Sequence, residues 1–101
     1  MYARITTVNV KPDKLNEATD LFEKSVVPAA KDRDGFRGIL LLVDKSTGKS
    51  LSIALWESEQ DMKAGETSGY LQEQYSKFSA HFTSPPEPAP YEVKVHHLSG
   101  A

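Results

Sequence analysis

The densest apolar run in the chain is Ile39-Leu40-Leu41-Leu42-Val43, which follows the segment Asp34-Gly35-Phe36-Arg37-Gly38. Apolar residues at consecutive positions, rather than alternate ones, are typical of a strand that is buried on both faces. In a chain of 101 residues, a single layer of helices can cover only one of those faces. The pattern therefore predicts that something other than this layer covers the second face.

Alternation, helical spacing and turn residues divide the rest of the chain into elements. Strands are predicted over residues 2–10, 36–44, 51–56 and 91–96, and the main helices over 14–33 and 71–83. Pro28 is expected to bend the first helix, and Gly65 to interrupt a short helix that follows Ser58. The proline-rich segment 85–90 is expected to be a crossing loop.

The resulting order is strand, helix, strand, strand, helix, strand. This is the ferredoxin-like split βαβ arrangement of an α+β protein, with a four-stranded antiparallel sheet and both helices on one face. The length of 101 residues predicts a single domain over residues 1–101.

Composition narrows the class of function. Twelve basic and 14 acidic residues give a net charge of −2, which provides no reason to expect nucleic acid or an anionic membrane surface. There is no cysteine, so thiolate metal sites and cysteine nucleophiles are excluded. The chain contains no apolar run long enough to span a membrane and no signal-peptide core at Met1–Thr6. These features predict a cytoplasmic protein.

Several short motifs occur in a characteristic order along the chain. They are Val8-Asn9-Val10-Lys11-Pro12-Asp13-Lys14, Val27-Pro28-Ala29, Asp34-Gly35-Phe36-Arg37-Gly38, Ala54-Leu55-Trp56-Glu57-Ser58 and Ser68-Gly69-Tyr70-Leu71. In this order and spacing the chain resembles the antibiotic biosynthesis monooxygenase (ABM) domain family. The resemblance covers nearly the whole chain, from about Arg4 to Val95.

The resemblance implies a dimeric α+β barrel, in which two sheets pack face to face and each protomer has a ligand pocket between sheet and helices. A homodimer through the open sheet face would supply the missing cover for Ile39–Val43. Some family members oxidise aromatic, polyketide-like substrates with molecular oxygen and no metal or flavin, so no cofactor is expected. The alternative is a non-catalytic, dimeric small-molecule-binding or stress-related protein of the same fold.

Other family members degrade haem, using an Asn on the first strand with a Trp and a His on the second helical segment. Aligned from Trp56, their Trp position falls on Gly65 and their His position on Tyr75. Because two of these three residues are absent, we do not expect haem degradation by that mechanism.

Four residues are candidates for catalysis: Asn9, Trp56, Tyr70 and His81. Asn9 can orient a carbonyl or hold an oxyanion, and Trp56 can lie against a flat aromatic substrate. Tyr70 stands where the family often has a histidine, and His81 is a general-base candidate by residue type. Each also has an ordinary structural interpretation: a solvated Asn9, a Trp56 or Tyr70 that packs in the core or at its rim, and a His81 that stabilises a helix C-terminus.

The remaining polar candidates have simpler interpretations. His96 and His97 are adjacent on a predicted strand, point to opposite faces and cannot readily share a metal ion, and no metal-ligand motif is present. Arg37 is expected to form an ion pair, with Glu57 or Asp44, or to hold an anionic ligand at the barrel rim. Tyr75 shares its helical face with Leu71, Phe78 and Phe82, so its ring is predicted to be in the core, with its hydroxyl reaching a cavity.

Overall fold

A computed structural model describes residues 1–99 and has four strands, β1 (Tyr2–Asn9), β2 (Phe36–Val43), β3 (Lys49–Trp56) and β4 (Glu87–Glu92). They form one antiparallel sheet in the order β2-β3-β1-β4. The α-helices are α1 (Leu15–Leu21), α2 (Val27–Lys31), α3 (Glu59–Thr67) and α4 (Tyr70–Ser76). The predicted ferredoxin-like α+β fold is confirmed.

The first helical segment is less regular than predicted. A 3₁₀ turn, Pro12–Lys14, leads into α1, and a π-helical segment, Phe22–Val26, separates α1 from α2. The Val27 N–H donates to the carbonyl of Phe22, five residues back. Pro28 has no N–H, and its ring would clash with the carbonyl four residues back in a regular helix. The wider turn directly before it relieves that clash, so the predicted bend takes the form of a π-bulge.

Two predictions about the later helices need correction. Gly65 does not interrupt α3, which runs on to Thr67, because a glycine weakens a helix by only about 1 kcal/mol. A Cβ at Gly65 would lie 3.2 Å from the ring of Tyr70, so the glycine allows α4 to approach closely. The α-helix after it ends at Ser76, and turns continue to Phe82, whose N–H donates to the Phe78 carbonyl at 3.1 Å.

The last strand also differs from its prediction. It spans Glu87–Glu92, so its first four residues lie in the segment expected to be a loop, and it ends before residues 93–96. Pro88 lies opposite Thr6 and Pro90 opposite Arg4. A proline is tolerated there because β4 is an edge strand, which leaves one side of its backbone unpaired. His96 and His97 therefore follow the sheet instead of lying on a strand.

The sheet has one covered and one open face. The main core cluster joins β1 to the first helical segment and to the turns after α4, through Val8, Val10, Ala18, Val26 and Phe78. On the other side of the sheet, Leu40 is 50% exposed and Leu42 is 46% exposed. The predicted second apolar face of β2 thus exists and is uncovered within the single chain. Arg37 pairs with Glu57 of the same chain, at the end of the neighbouring strand.

No helix within residues 1–99 is long and apolar enough to cross a membrane.

Candidate functional site

A cavity of about 80 Å³ lies between the helices and the covered face of the sheet. The sheet lines it with every second residue of β1, from Arg4 to Val10, and of β3, from Ser50 to Trp56. The helical side contributes residues of α1, α4 and the turns that follow α4. Two lining residues, Thr19 and Val43, are solvent-exposed, which indicates that the cavity reaches the surface between them.

Polar groups are concentrated at one end of this cavity. The Val8 and Val10 end belongs to the apolar core cluster. The other end, which we call the polar end, contains Arg4, Thr6, Trp56, Tyr70 and Tyr75. Along β1 and β3, Tyr2 is paired with Trp56 and Arg4 with Ala54, so Arg4 and Trp56 are diagonal neighbours on the same face. Diagonal neighbours on a sheet are within reach of long and aromatic side chains.

Among the described residues 1–99, Arg4 is the only one in the lining that carries a fixed charge. It is 4% exposed, and its Nη2 donates to the carbonyl oxygen of Met62 at 2.6 Å. The same nitrogen lies 3.5 Å from a carboxylate oxygen of Glu66, whose side chain is 50% exposed. A buried cation is costly unless it is paired, and this pairing partner is half in solvent. The charge of Arg4 is therefore only partly compensated by the protein.

The two phenols of the polar end are hydrogen-bond donors at neutral pH. Burial raises the pKa of Tyr70, against the opposing effect of the positive charges of Arg33 and Arg4. Burial also raises the pKa of Tyr75, against its hydrogen bond with Thr6 and the charge of Arg4. The Tyr75 and Thr6 hydroxyls are 3.0 Å apart. Both phenols thus stay protonated well above pH 7 and cannot act as general bases there.

Trp56 presents a buried donor without an acceptor. Its side chain is 2% exposed and packs edge-on against Phe36, with ring centroids 6.2 Å apart. Within residues 1–99, the indole Nε1 has no hydrogen-bond partner. Buried polar groups in native proteins are nearly always paired, so this unpaired donor calls for an explanation.

Tyr70 lies at the edge of the polar end. The Arg33 guanidinium carbon stands 4.6 Å from its ring centroid, and Arg33 also donates to the hydroxyl of Ser68 at 3.2 Å. A cation over an aromatic face is a favourable contact. The ring also lies close to α3, because a Cβ at Gly65 would be 3.2 Å from it.

The structure brings together only two of the four predicted site residues. Trp56 and Tyr70 both line the cavity. Asn9 does not, because side chains alternate along β1 and both Val8 and Val10 face the cavity. The Asn9 amide instead donates to the Ser84 hydroxyl at 3.2 Å.

His81 is also outside the cavity lining. Its ring packs against Phe78, and its Nε2 lies 3.6 Å from a carboxylate oxygen of Glu17. Its buried Nδ1 has no partner within residues 1–99. His81 thus stands behind the apolar core, away from the polar end.

Sequence reasoning did not identify Arg4 or Thr6 as site residues. Both share the parity of Val8 and Val10 along the strand, but parity alone does not show which face the helices cover. A charged residue at such a position is unusual and favours a function. The prediction that Tyr75 extends its hydroxyl towards a cavity agrees with its place in the lining.

The site offers little for a metal ion. Within residues 1–99 there is no cluster of three or more His, Asp or Glu side chains that could hold one. The cavity lining, as far as the chain is described, contains no carboxylate and no histidine. Its polar groups are hydroxyls, an indole N–H and a guanidinium.

The fold and the cavity define a small α+β protein with a cavity between its helices and one face of a four-stranded sheet. The sequence model of the family called antibiotic biosynthesis monooxygenase matches residues 1–83. The chain belongs to this family, as its motifs suggested.

Solved structures show the same fold. A monooxygenase of Streptomyces coelicolor, ActVA-Orf6, in complex with nanaomycin D, is 20% identical, with a TM-score of 0.74 over 98% of this chain and 92% of that one. The NE2512 protein of unknown function from Nitrosomonas europaea is 18% identical, with a TM-score of 0.76 over 99% of this chain and 95% of that one.

Curated relatives include the uncharacterized protein Rv2558 of Mycobacterium tuberculosis, which is 33% identical over 64 residues. The match spans 63% of this chain but 27% of that protein. The match therefore covers about a quarter of the length of this relative.

Proposed function

We propose that the chain is a monooxygenase that oxidises a small aromatic or polyketide-like molecule with molecular oxygen, without a metal or flavin. The substrate would occupy the cavity between sheet and helices, with its oxygen atoms at the polar end. Membership of the family supports the reaction class, and the bound nanaomycin D of the Streptomyces relative supports an aromatic ligand.

The proposed reaction needs little from the protein. An electron-rich phenol or enol loses a proton to water, and the resulting anion reacts at carbon with O₂ to form a C–O bond. Protonation gives a hydroperoxide, and loss of water leaves a carbonyl. One oxygen atom of O₂ ends in the product and the other in water, with the substrate as the sole source of electrons. The protein must orient the substrate, stabilise its anion and exclude bulk water.

The observation that carries this proposal is the orphan N–H of Trp56. Trp56 lines the polar end of the cavity together with Arg4, and its side chain is 2% exposed. In a core built only for stability, this donor would be paired or replaced by an apolar ring. Here it can donate to a carbonyl or phenolate oxygen of the substrate, while the indole ring lies near the aromatic plane.

Oxygen uptake tests this function. The protein is incubated under air with anthrone and with 1,4-naphthohydroquinone, and consumption is followed with an oxygen electrode. We expect uptake above the spontaneous rate, reduced at least tenfold by Trp56→Phe, which removes the N–H but keeps an aromatic ring. Phe36→Leu is the matched control, because it alters the ring that packs on Trp56 without touching the cavity. Equal rates with and without protein would contradict the proposal.

We further propose that two copies pair through the open sheet face to form the dimeric barrel. Exposed Leu40 and Leu42, with Tyr91 at 55% exposure, give this face the apolar character of an interface. Light scattering at micromolar concentration should then give twice the chain mass of 11.2 kDa. A mass near 11.2 kDa would contradict the dimer.

A non-catalytic ligand-binding protein is the second candidate. It is favoured by one observation: in the described part of the chain, the cavity is lined by no carboxylate or histidine that could act as a general base. Tight binding of an aromatic ligand, with no oxygen uptake for any substrate tried, would support this candidate over the enzyme.

A further inference from the structure

The cavity is closed at its polar end. The side chains there have almost no solvent exposure: Trp56 is 2% exposed, Arg4 is 4% exposed, and Met62, whose carbonyl accepts a hydrogen bond from Arg4, is 1% exposed. Helices α3 and α4 also meet closely at this end, because a Cβ at Gly65 would lie 3.2 Å from the ring of Tyr70. A ligand could not enter here without displacing packed groups.

The mouth of the cavity lies at the opposite end. Among the described residues 1–99, the exposed members of the lining are Thr19 on α1 and Val43 on β2. Val43 is paired with Ser50, and Ser50 with Val8, so the mouth is level with the apolar end of the cavity. Because β2 is an edge strand, no further strand closes the gap beside Val43. The proposed dimer uses the other face of the sheet and leaves this mouth free.

The cavity is long relative to its volume. Ser50 and Trp56 are six residues apart on β3, and a strand rises about 3.4 Å per residue, so the two ends are separated by about 20 Å. A volume of about 80 Å³ holds roughly five to eight waters, at roughly 10–15 Å³ each. Hydrogen-bonded waters are about 2.8 Å apart, so a single file of them would extend roughly 14–22 Å. The cavity is therefore a slender tunnel.

The two ends of this tunnel differ in chemistry. At the polar end, the Trp56 N–H has no acceptor within residues 1–99, so it can receive a ligand oxygen. Near the mouth, the hydroxyl of Ser50 donates to the Gly48 carbonyl at 3.3 Å, which leaves its proton unavailable to a ligand. The helical side of the tunnel near the mouth is apolar and consists of Leu15, Ala18, Phe22, Phe78 and Phe82.

We propose that the cavity is a blind tunnel that takes an amphipathic ligand head first. A carbonyl oxygen of a flat head lies at the polar end, and an unbranched apolar chain fills the tunnel and emerges between Thr19 and Val43. This assignment rests on the proposed function only for the place of the ligand. It narrows the substrate class to molecules with an apolar chain opposite their oxygen-bearing head, and it makes Thr19 and Val43 the residues at which longer chains leave the protein.

Labelled probes of graded length test this assignment. Each has an acetophenone head, which offers a carbonyl oxygen and does not ionise. A polymethylene chain joins the para position of this head to sulforhodamine, which is too bulky and too charged to enter an apolar tunnel. Fluorescence anisotropy measures binding as the chain is lengthened stepwise. We expect the shortest probes not to bind, and affinity to rise at least tenfold once head and chain together reach about 20 Å, the distance from the polar end to the mouth.

Substitutions at the mouth identify the exit. Thr19→Trp places a large ring over the mouth and should weaken binding of the longest probe at least tenfold. The same variant should bind 4-butylacetophenone, which is short and carries no label, with unchanged affinity in isothermal titration calorimetry. Thr67→Trp is the matched control, because Thr67 is also exposed on a helix but lies outside the cavity lining. It should change neither affinity.

Short probes that bind as tightly as long ones, or no binding at any length, would overturn the assignment. Equal affinities of the longest probe for the Thr19→Trp and Thr67→Trp variants would do so as well. None of these measurements depends on turnover. A clear onset length without oxygen uptake would contradict the monooxygenase but support the tunnel. Oxygen uptake without an onset length would do the reverse.

Discussion

Two glycines with the same backbone conformation should respond very differently to substitution by alanine. Gly48 and Gly69 both have φ +83. A left-handed conformation disfavours a residue with a Cβ by about 1–2 kcal/mol. Because alanine also restricts the unfolded chain, Gly→Ala recovers about 0.4–1 kcal/mol wherever the native backbone tolerates it. At Gly69 an added Cβ would meet no atom within 4 Å, so Gly69→Ala should lower the free energy of unfolding by about 1 kcal/mol.

Gly48 lies against the end of β1. A Cβ there would overlap the carbonyl oxygen of Val10 and lie 3.1 Å from its carbonyl carbon. Val10 cannot move freely, because it is 4% exposed, belongs to the core cluster and donates its N–H to the Gly48 carbonyl at 2.9 Å. Relieving the overlap should break that hydrogen bond, for about 0.5–1.5 kcal/mol, and shift packed atoms, for about 1–3 kcal/mol. With the net conformational loss of about 1 kcal/mol, Gly48→Ala should lower the free energy of unfolding by roughly 2.5–5.5 kcal/mol.

Urea unfolding followed by Trp56 fluorescence measures both changes. All variants must be compared at one protein concentration, because dissociation of a dimer would make stability depend on it. A domain of this size is stable by only about 5–15 kcal/mol, so Gly48→Ala should move the midpoint far to lower urea or prevent folding, while Gly69→Ala moves it slightly. Equal losses in the two variants would refute the reasoning, because the conformational term alone would then explain both.

Three further perturbations test other parts of the structure. Leu42→Lys places a charge on the open sheet face and should convert the proposed dimer to a monomer. Light scattering should then give a mass of 11.2 kDa. An unchanged mass would place the interface elsewhere. Ser58→Ala removes the hydroxyl that accepts a hydrogen bond from the Asp61 N–H, at 3.1 Å, at the start of α3. Urea unfolding should then show a free energy of unfolding lower by about 1 kcal/mol. An unchanged free energy of unfolding would mean that the cap does not stabilise the helix. Since burial raises the pKa of Tyr70 and Tyr75 in the folded state, their contribution to stability is complete below the ordinary value of 10.0 and is lost as pH rises through the raised values. Melting temperatures should therefore fall above about pH 10 in the wild-type protein and fall less in the Tyr70→Phe/Tyr75→Phe double variant; parallel curves would contradict this origin.

The order of elements was predictable because each carries a strong local signal. The run Ile39–Val43 indicated a strand with two apolar faces, and Leu40 and Leu42 indeed lie on a face that the single chain leaves open. The predicted start of β4 was wrong for a specific reason. Proline argues against a strand only where the strand must pair on both sides. Whether a strand lies at the edge of the sheet depends on the tertiary fold, so Pro88 and Pro90 alone do not reveal that β4 is an edge strand.

The cavity was harder to predict because the strands are apolar on both faces. On β1, Ile5 and Thr7 alternate with Thr6 and Val8, so composition does not reveal which set faces the helices. That ambiguity made Asn9 as good a candidate as Arg4. Only the packing of the helices on Val8 and Val10 decides the question, and it places Arg4 inside and Asn9 outside. A single parity choice on one strand thus exchanges a neutral amide for a buried cation in the lining of the cavity.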